Sequence, residues 1–196
     1  VPVVAAALGS VAGLGAARVA GSHLSVMVAG ISQVFVAGPP IVAYATHEDL
    51  GKDELGGSDV HGRNGTVDLV VDTEADAFAA IRTFLSYLPR SVWEMPPVVD
   101  SADPPSRCEE ELLSLIPRNR RQIYDGRRLI ELVVDHGSFF ELGRGWGRAL
   151  LTGLARLDGH PVGVLGAECG GSRRCGIQDV CCGLHRGSRP QHPRRH

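Results

Sequence analysis

The chain opens on Val1–Leu8, a run apolar at successive positions, the pattern of a short strand buried on both faces. Glycine then crowds the chain, with Gly9, Gly13 and Gly15 inside seven residues, and a small-residue segment from Ala16 to about Ala20 opens a helix. Two more apolar runs follow, 25–28 and 33–38, the second closed by Pro39-Pro40. Residues 41–50 suit a helix with Glu48 and Asp49 late in it, and residues 66–72, TVDLVVD, alternate as a strand does. Thr73 and Asp76 resemble a capping box with Asp in the Glu position. Phe78, Ile81, Phe84, Leu85 and Leu88 follow at helical spacing until Pro89 stops the helix. Strands alternating with helices predict an α/β fold.

The pattern changes at residue 94. Residues 94–122 are rich in proline and charge and read as a linker between domains, carrying one helical turn around Glu110–Leu115. Residues 124–137, YDGRRLIELVVDHG, form an amphipathic helix with Gly137 placed to cap its C-terminus. Two β-runs then flank Asp158-Gly159, a strong hairpin signal, so a second domain begins here. It is cut off after residue 166. Residues 167–196 show no apolar periodicity and hold six arginines, four cysteines and three histidines. They read as an aberrant, unstructured tail, of the kind a shifted reading frame in GC-rich DNA produces. Zinc is the sharper alternative, but Cys169, Cys175, Cys181 and Cys182 make no C-x2-C pair, and their spacing to His185 and His192 fits no common site.

Charge and composition narrow the classes. A net charge of -2 gives no sign of nucleic-acid binding, and Lys52 is the single lysine beside many arginines. No basic region precedes the first apolar run, so it is no secretory signal. Arg18 and the glycines interrupt it short of the ~20 apolar residues of a membrane span. Before residue 167 the only cysteine is Cys108, which suits a reducing cytoplasm. With no initiator methionine, the chain is expected to start inside a larger protein.

Chemistry centres on the Gly-rich turn. A dinucleotide fingerprint needs G-x-G-x-x-G, but GLGAAR puts Arg18 at the third glycine, and no acidic residue stands ~20 positions on. Two other readings remain open. Consecutive N–H groups at a helix start form an oxyanion hole, and small residues equally suit tight helix–strand packing.

The order of segments adds a resemblance. GSVAGLGAA, FVAGPPIVAYATHEDLGKDELGG, His61, Gly65 and FLSYLP resemble, in order and spacing, the carboxyltransferase (β) subunits of biotin-dependent acyl-CoA carboxylases. Beyond the linker, LIP, YDGRRLIELVVDHGSFFEL and LLTGLARLDGHPVGVL continue it to about residue 166. The resemblance implies a crotonase-like (ClpP/crotonase superfold) ββα superhelix. Residues 1–93 would end the first domain and residues 123–166 would start the second. It implies carboxyl transfer from carboxybiotin, carried by a biotin carboxylase/biotin carrier (alpha) subunit, to the α carbon of a propionyl-CoA-like substrate. No metal and no directly bound cofactor are implied. The full-length protein would be a homo-oligomer, with no nucleic acid or membrane as partner.

By the same resemblance, the backbone N–H groups of Gly13 and Leu14 would polarise the thioester carbonyl. Gly9, Ala12, Gly15, Gly38, Glu54, Gly56, Gly57 and His61 would line the substrate site. Leu14 stands where the family has a second glycine, and His47 replaces the glycine of T-G-E, which suggests a different acyl preference. The partner donor pair would lie beyond residue 166, so the chain would hold half of a site. From the residues themselves, Glu54 with Gly56-Gly57 reads as a turn and His61 as a structural hydrogen-bonder in a loop. His47-Glu48-Asp49 face different ways on a helix and make no metal site. Arg118, Arg120 and Arg121 meet CoA phosphates, a partner, or only solvent. Trp146 anchors a subunit interface or fills core. Two alternatives stand beside the carboxyltransferase reading: a non-catalytic truncated product, and a hydratase or isomerase of the same superfold.

Overall fold

The structure, a computed structural model, describes residues 1–104, 106–119 and 122–167. Arg120, Arg121 and the cysteine-rich tail, with the zinc and reading-frame alternatives, lie outside the described residues. The chain winds as β1 (Val4–Ala7), β2 (Ser10–Ala12), α1 (Leu14–Ala20), then β3 (Leu24–Val28), β4 (Gln33–Phe35), α2 (Pro39–Thr46). Two short helices, α3 (Lys52–Gly56) and α4 (Ser58–Asn64), lead to β5 (Leu69–Val71) and the longer α5 (Glu74–Ser86). After residue 93 come α6 (Leu112–Leu115), α7 (Gly126–Val133), β6 (Phe140–Leu142), β7 (Leu150–Leu157) and β8 (His160–Ala167).

Each of the first two turns of chain gives one strand to each of two parallel sheets and returns through a helix. β1, β3 and β5 form one sheet, with Val4 opposite Leu24 and Val26 opposite Leu69. β2 and β4 form the other, with Ser10 opposite Gln33. The short glycine-rich segment is therefore strand before it is helix, because Ser10–Ala12 pair with β4. The strand buried on both faces is β3 at the centre of its sheet, whereas Val1–Leu8 supplies an edge strand.

Alternation along β3 separates two cores. Met27 faces Ala7, Ala16, Val19, Val34 and Val67, between the two sheets and α1. Leu24, Val26 and Val28 face Ala77 and Phe84 of α5 on the other side. Ser25, buried in the same strand, is satisfied by Asp68, whose Oδ2 accepts from its N–H and its hydroxyl, both at 2.8 Å. The buried stripe of α5 runs through Ala77, Ile81 and Phe84, and Leu88 continues it just past the end of the helix, while Phe78 and Leu85 lie at its half-open edge. Thr73 caps this helix as expected, accepting from the Asp76 N–H at 3.1 Å.

Other boundaries differ from the sequence pattern. α2 ends at Thr46 because His47 adopts a left-handed conformation (φ 59°), so Glu48 and Asp49 fall outside it. α7 ends at Val133 with an extended Val134, and Gly137 serves a turn three residues later. β6 is an unforeseen three-residue strand, held by pairing to β7. The hairpin forms as expected, with Asp158 and Gly159 both at positive φ, as its two-residue turn demands. Phe140, Leu142 and Leu154 of the hairpin sheet pack on the α5 side of the first core, so the two parts share apolar surface.

Arg156 of β7 fixes that contact. Among the described residues no carboxylate pairs with its buried guanidinium, which donates to the main-chain carbonyls of Ser86 (2.8 Å), Pro97 (3.0 Å) and Gly159 (2.9 Å). It also lies 4.8 Å from the ring centre of Tyr87. Burial pushes the Tyr87 phenol above its ordinary pKa, with Arg156 opposing, and the hydroxyl donates to the Ser138 carbonyl. Nearby, Asp135 accepts from the turn N–H groups of Asp158 (2.9 Å) and Gly159 (2.8 Å). Desolvation raises its pKa, but those two bonds, Ser101 and Arg107 outweigh it and hold the carboxyl below its ordinary value.

Arg156→Met is expected to destabilise the fold by about 3 kcal/mol, because buried carbonyls lose their donor, and Arg156→Lys by less. Urea unfolding measures both. Since the folded pKa of Asp135 lies below its unfolded one, its contribution is full above about pH 4 and vanishes as pH falls through the folded value. Asp135→Asn should therefore flatten the acid side of the stability–pH profile, read from urea midpoints between pH 7 and pH 2.

Candidate functional site

The turn into α1 depends on Gly13, at φ 60° and ψ -125°, a region closed to residues with a side chain. Nothing lies within 4 Å of the position a Cβ would take, so the requirement is conformational and not one of space. The Gly13 N–H donates to the carbonyls of Phe35 and Val36, each at 3.2 Å. That tie docks the turn on β4. It also spends the first of the two amides expected to act as donors. Leu14, Gly15 and Ala16 then form the first turn of α1, where main-chain N–H groups have no intrahelical acceptor. Among the described residues, no side chain caps them and no acidic residue stands in that turn. Leu14 is 71% exposed, so an accessible apolar side chain stands at the start of α1.

The second group of expected residues reaches the same strand from the other side. Gly56 closes α3 so near to β4 that a Cβ there would stand 2.1 Å from the Val34 carbonyl oxygen. His61, on α4 and not in a loop, brings Nε2 to 2.6 Å from that same oxygen. A carbonyl only accepts, so Nε2 carries the proton, and Nδ1 faces Asn64 at 3.5 Å. His61 is thus the hydrogen-bonding structural residue its context suggested. Glu54 lies in a helix and not a turn, and its carboxylate accepts from the Gly51 N–H at 2.9 Å, capping α3. Gly57 joins α3 to α4, and Gly38 precedes the two prolines that open α2. Gly9 accepts from Gln33 through its carbonyl, and Ala12 pairs with Phe35.

The three residues Val34–Val36 therefore form a common floor. The Gly13 turn rests on Phe35 and Val36, and Gly56 and His61 rest on Val34. Sequence reasoning missed the polar clamp beside it. Gln33 is buried, accepts from the Ser10 hydroxyl at 2.5 Å and donates to Asp53 at 2.8 Å. The clamp ties β2, β4 and α3 together. Its one visible sign in the sequence is a lone glutamine at the head of an apolar run. Among the described residues, no group of three His, Cys, Asp or Glu side chains is placed to hold a metal. No helix there is long and apolar enough to cross a membrane.

The profile of the carboxyl transferase domain matches residues 1–178. The chain belongs to the carboxyl transferase domain family. It is 36% identical over 166 residues to the propionyl-CoA carboxylase carboxyltransferase subunit of Haloferax mediterranei, covering 84% of this chain and 32% of that protein. It is 32% identical to the methylmalonyl-CoA decarboxylase subunit alpha of Veillonella parvula, over 84% of this chain and 33% of that one. Among solved structures, the transcarboxylase 12S core with hydrolysed methylmalonyl-coenzyme A bound superposes with a TM-score of 0.78 at 30% identity. That alignment covers 84% of this chain and 32% of the transcarboxylase chain. The chain thus spans about a third of the length of the curated relatives it matches. The double winding of parallel strands and helices is the crotonase-like ββα superhelix of this family.

Gly13→Ala should destabilise this carboxyl transferase domain by about 1–3 kcal/mol through backbone strain alone. Gly9→Ala, at a position with open space and no positive φ, should cost less. Guanidinium unfolding of the two variants makes the comparison.

Proposed function

We propose that this chain forms part of the carboxyltransferase component of an acyl-CoA carboxylase. Residues 1–93 would be the end of its N-domain, 94–122 a linker, and 123–166 the start of its C-domain. The observation that carries the reading is the family membership, together with the uncapped amides at the start of α1. Carboxybiotin on a biotin carboxylase/biotin carrier partner supplies the carboxyl group, and the acyl-CoA supplies the α carbon that receives it. The reaction requires no side-chain nucleophile. Its part is to hold the thioester oxygen while negative charge develops there on removal of the α proton.

Because Gly13 spends its N–H on β4, the Leu14 amide is the first donor available to that oxygen, followed by Gly15. Gly13 then acts by holding the turn. Gly56 and His61 act from below, fixing the floor on which the turn rests. The Leu14 side chain crowds the approach and narrows the acyl groups accepted. The reducing cytoplasm fits the low cysteine content before residue 167, and assembly with like subunits fits the exposed apolar side chains Leu14, Val36, Ile41 and Tyr44.

A second reading is favoured by the coverage of about a third of each relative: this length of chain carries one donor set and is non-catalytic by itself.

Leu14 occupies the first helical position, where proline is well accepted, so Leu14→Pro deletes the amide donor and keeps the helix. With a biotin carboxylase and biotinylated carrier supplied, Leu14→Pro is expected to lower kcat for propionyl-CoA carboxylation by about 10²–10³-fold, and Leu14→Ala to leave it within a few-fold. Equal rates for Leu14→Pro and the unaltered chain would remove the amide from the mechanism. No turnover by the unaltered chain would favour the second reading.

A further inference from the structure

Behind α4, on the side away from β4, lies an open groove of about 610 Å³ that the thioester chemistry does not use. Its walls come from α4, β5, α7 and the loop 143–148 between β6 and β7. Four arginines line it, Arg63, Arg127, Arg144 and Arg148, against two carboxylates, Asp59 and Asp68. Asp68 already accepts twice from Ser25. Arg127 is held by Glu141, with Nε at 2.9–3.0 Å from both carboxylate oxygens and a terminal nitrogen at 2.7 Å from one. Arg144 reaches Glu141 only at 3.7 Å. Arg63 and Arg148 are exposed and make no ion pair among the described residues.

The gathering of these cations is built into the backbone. Gly143 donates its N–H to the Asp68 carbonyl at 3.2 Å. Gly145 packs so close to α4 that a Cβ would stand 2.0 Å from the Gly62 carbonyl oxygen. The Trp146 indole lies on the Gly65 backbone, where a Cβ would meet the ring at 2.7 Å. These contacts hold the loop that carries Arg144 and Arg148 against α4, so that both line the same groove as Arg63. Like charges so placed repel one another; Glu141 offsets Arg127, and Asp59 and Asp68 stand against Arg63, Arg144 and Arg148, which leaves one positive charge in excess. Guanidinium groups offer paired N–H donors that match phosphate oxygens in geometry and charge. The volume lies in the range of small-molecule sites.

We infer that this groove binds the phosphate groups of an organic phosphate through Arg63, Arg144 and Arg148, with Arg127 fixed by Glu141 as its floor. The chemistry has two sources: the nucleotide end of a coenzyme A thioester, or a separate phosphate ester. The first source rests on the function proposed above; the binding itself does not.

Titration calorimetry of the full chain with adenosine 3′,5′-bisphosphate, ATP and inorganic pyrophosphate provides the test. Saturable one-to-one binding that weakens with added salt is expected for at least one of them. Arg63→Ala and Arg148→Ala should each weaken it about tenfold, with Lys at either position recovering part. Both are surface changes, and an unaltered circular dichroism spectrum confirms the fold. Tightest binding of the bisphosphate assigns the groove to coenzyme A; ATP or pyrophosphate binding as tightly assigns it to a free phosphate ester. No saturable binding of any probe at millimolar concentration, or equal affinity in the Arg63→Ala/Arg148→Ala double variant, overturns the inference. The readout needs no turnover, so failed carboxyl transfer with retained phosphate binding would count against the proposed function alone.

Discussion

The Arg156 guanidinium holds the two parts of this molecule in one arrangement. No carboxylate among the described residues pairs with it, and its charge is met by main-chain carbonyls from the end of α5, the linker and the hairpin turn. The Ser86 carbonyl ends α5, the Pro97 carbonyl lies in the linker, and the Gly159 carbonyl lies in the hairpin turn, where it also accepts from the Val99 N–H. One side chain thereby joins acceptors from three separate segments and brings β6 and β7 onto the α5 face of the first core. The position of the 143–148 loop, and of the groove it walls, follows from that docking.

The amide turn depends on a different economy. β4 is only three residues long, yet its carbonyls receive the Gly13 turn on one side and the α3–α4 corner on the other. Such a short strand is held by its surroundings more than by its own pairing. Gln33 supplies much of that support, tying β2 to α3 beneath the same floor. The turn is thus preorganised by packing, and not by a long element that runs into it.

The sequence made some of this visible. Thr73 and Asp76 marked the start of α5, and Asp158-Gly159 marked the hairpin, because both are local devices whose partners stand within a few residues. The segment order pointed to the family and its superhelix. What was hidden depended on distant partners. Ser10–Ala12 is a strand only because β4 lies beside it, and β6 exists only because β7 does. Gly137 was placed at a helix end by its φ preference, but the chain left the helix earlier, at Val134. At the candidate site, glycine spacing located the turn, but no local pattern could show that the Gly13 amide was already spent on Phe35 and Val36.

The groove behind α4 takes its positive charge from arginine alone. A guanidinium group keeps its proton at any pH a cell reaches and is a poor nucleophile. A lysine in the same place would offer an amine that attacks activated thioesters and would lose both its charge and its reactivity in doing so. Walls made of arginine hold the same field whatever the local acidity.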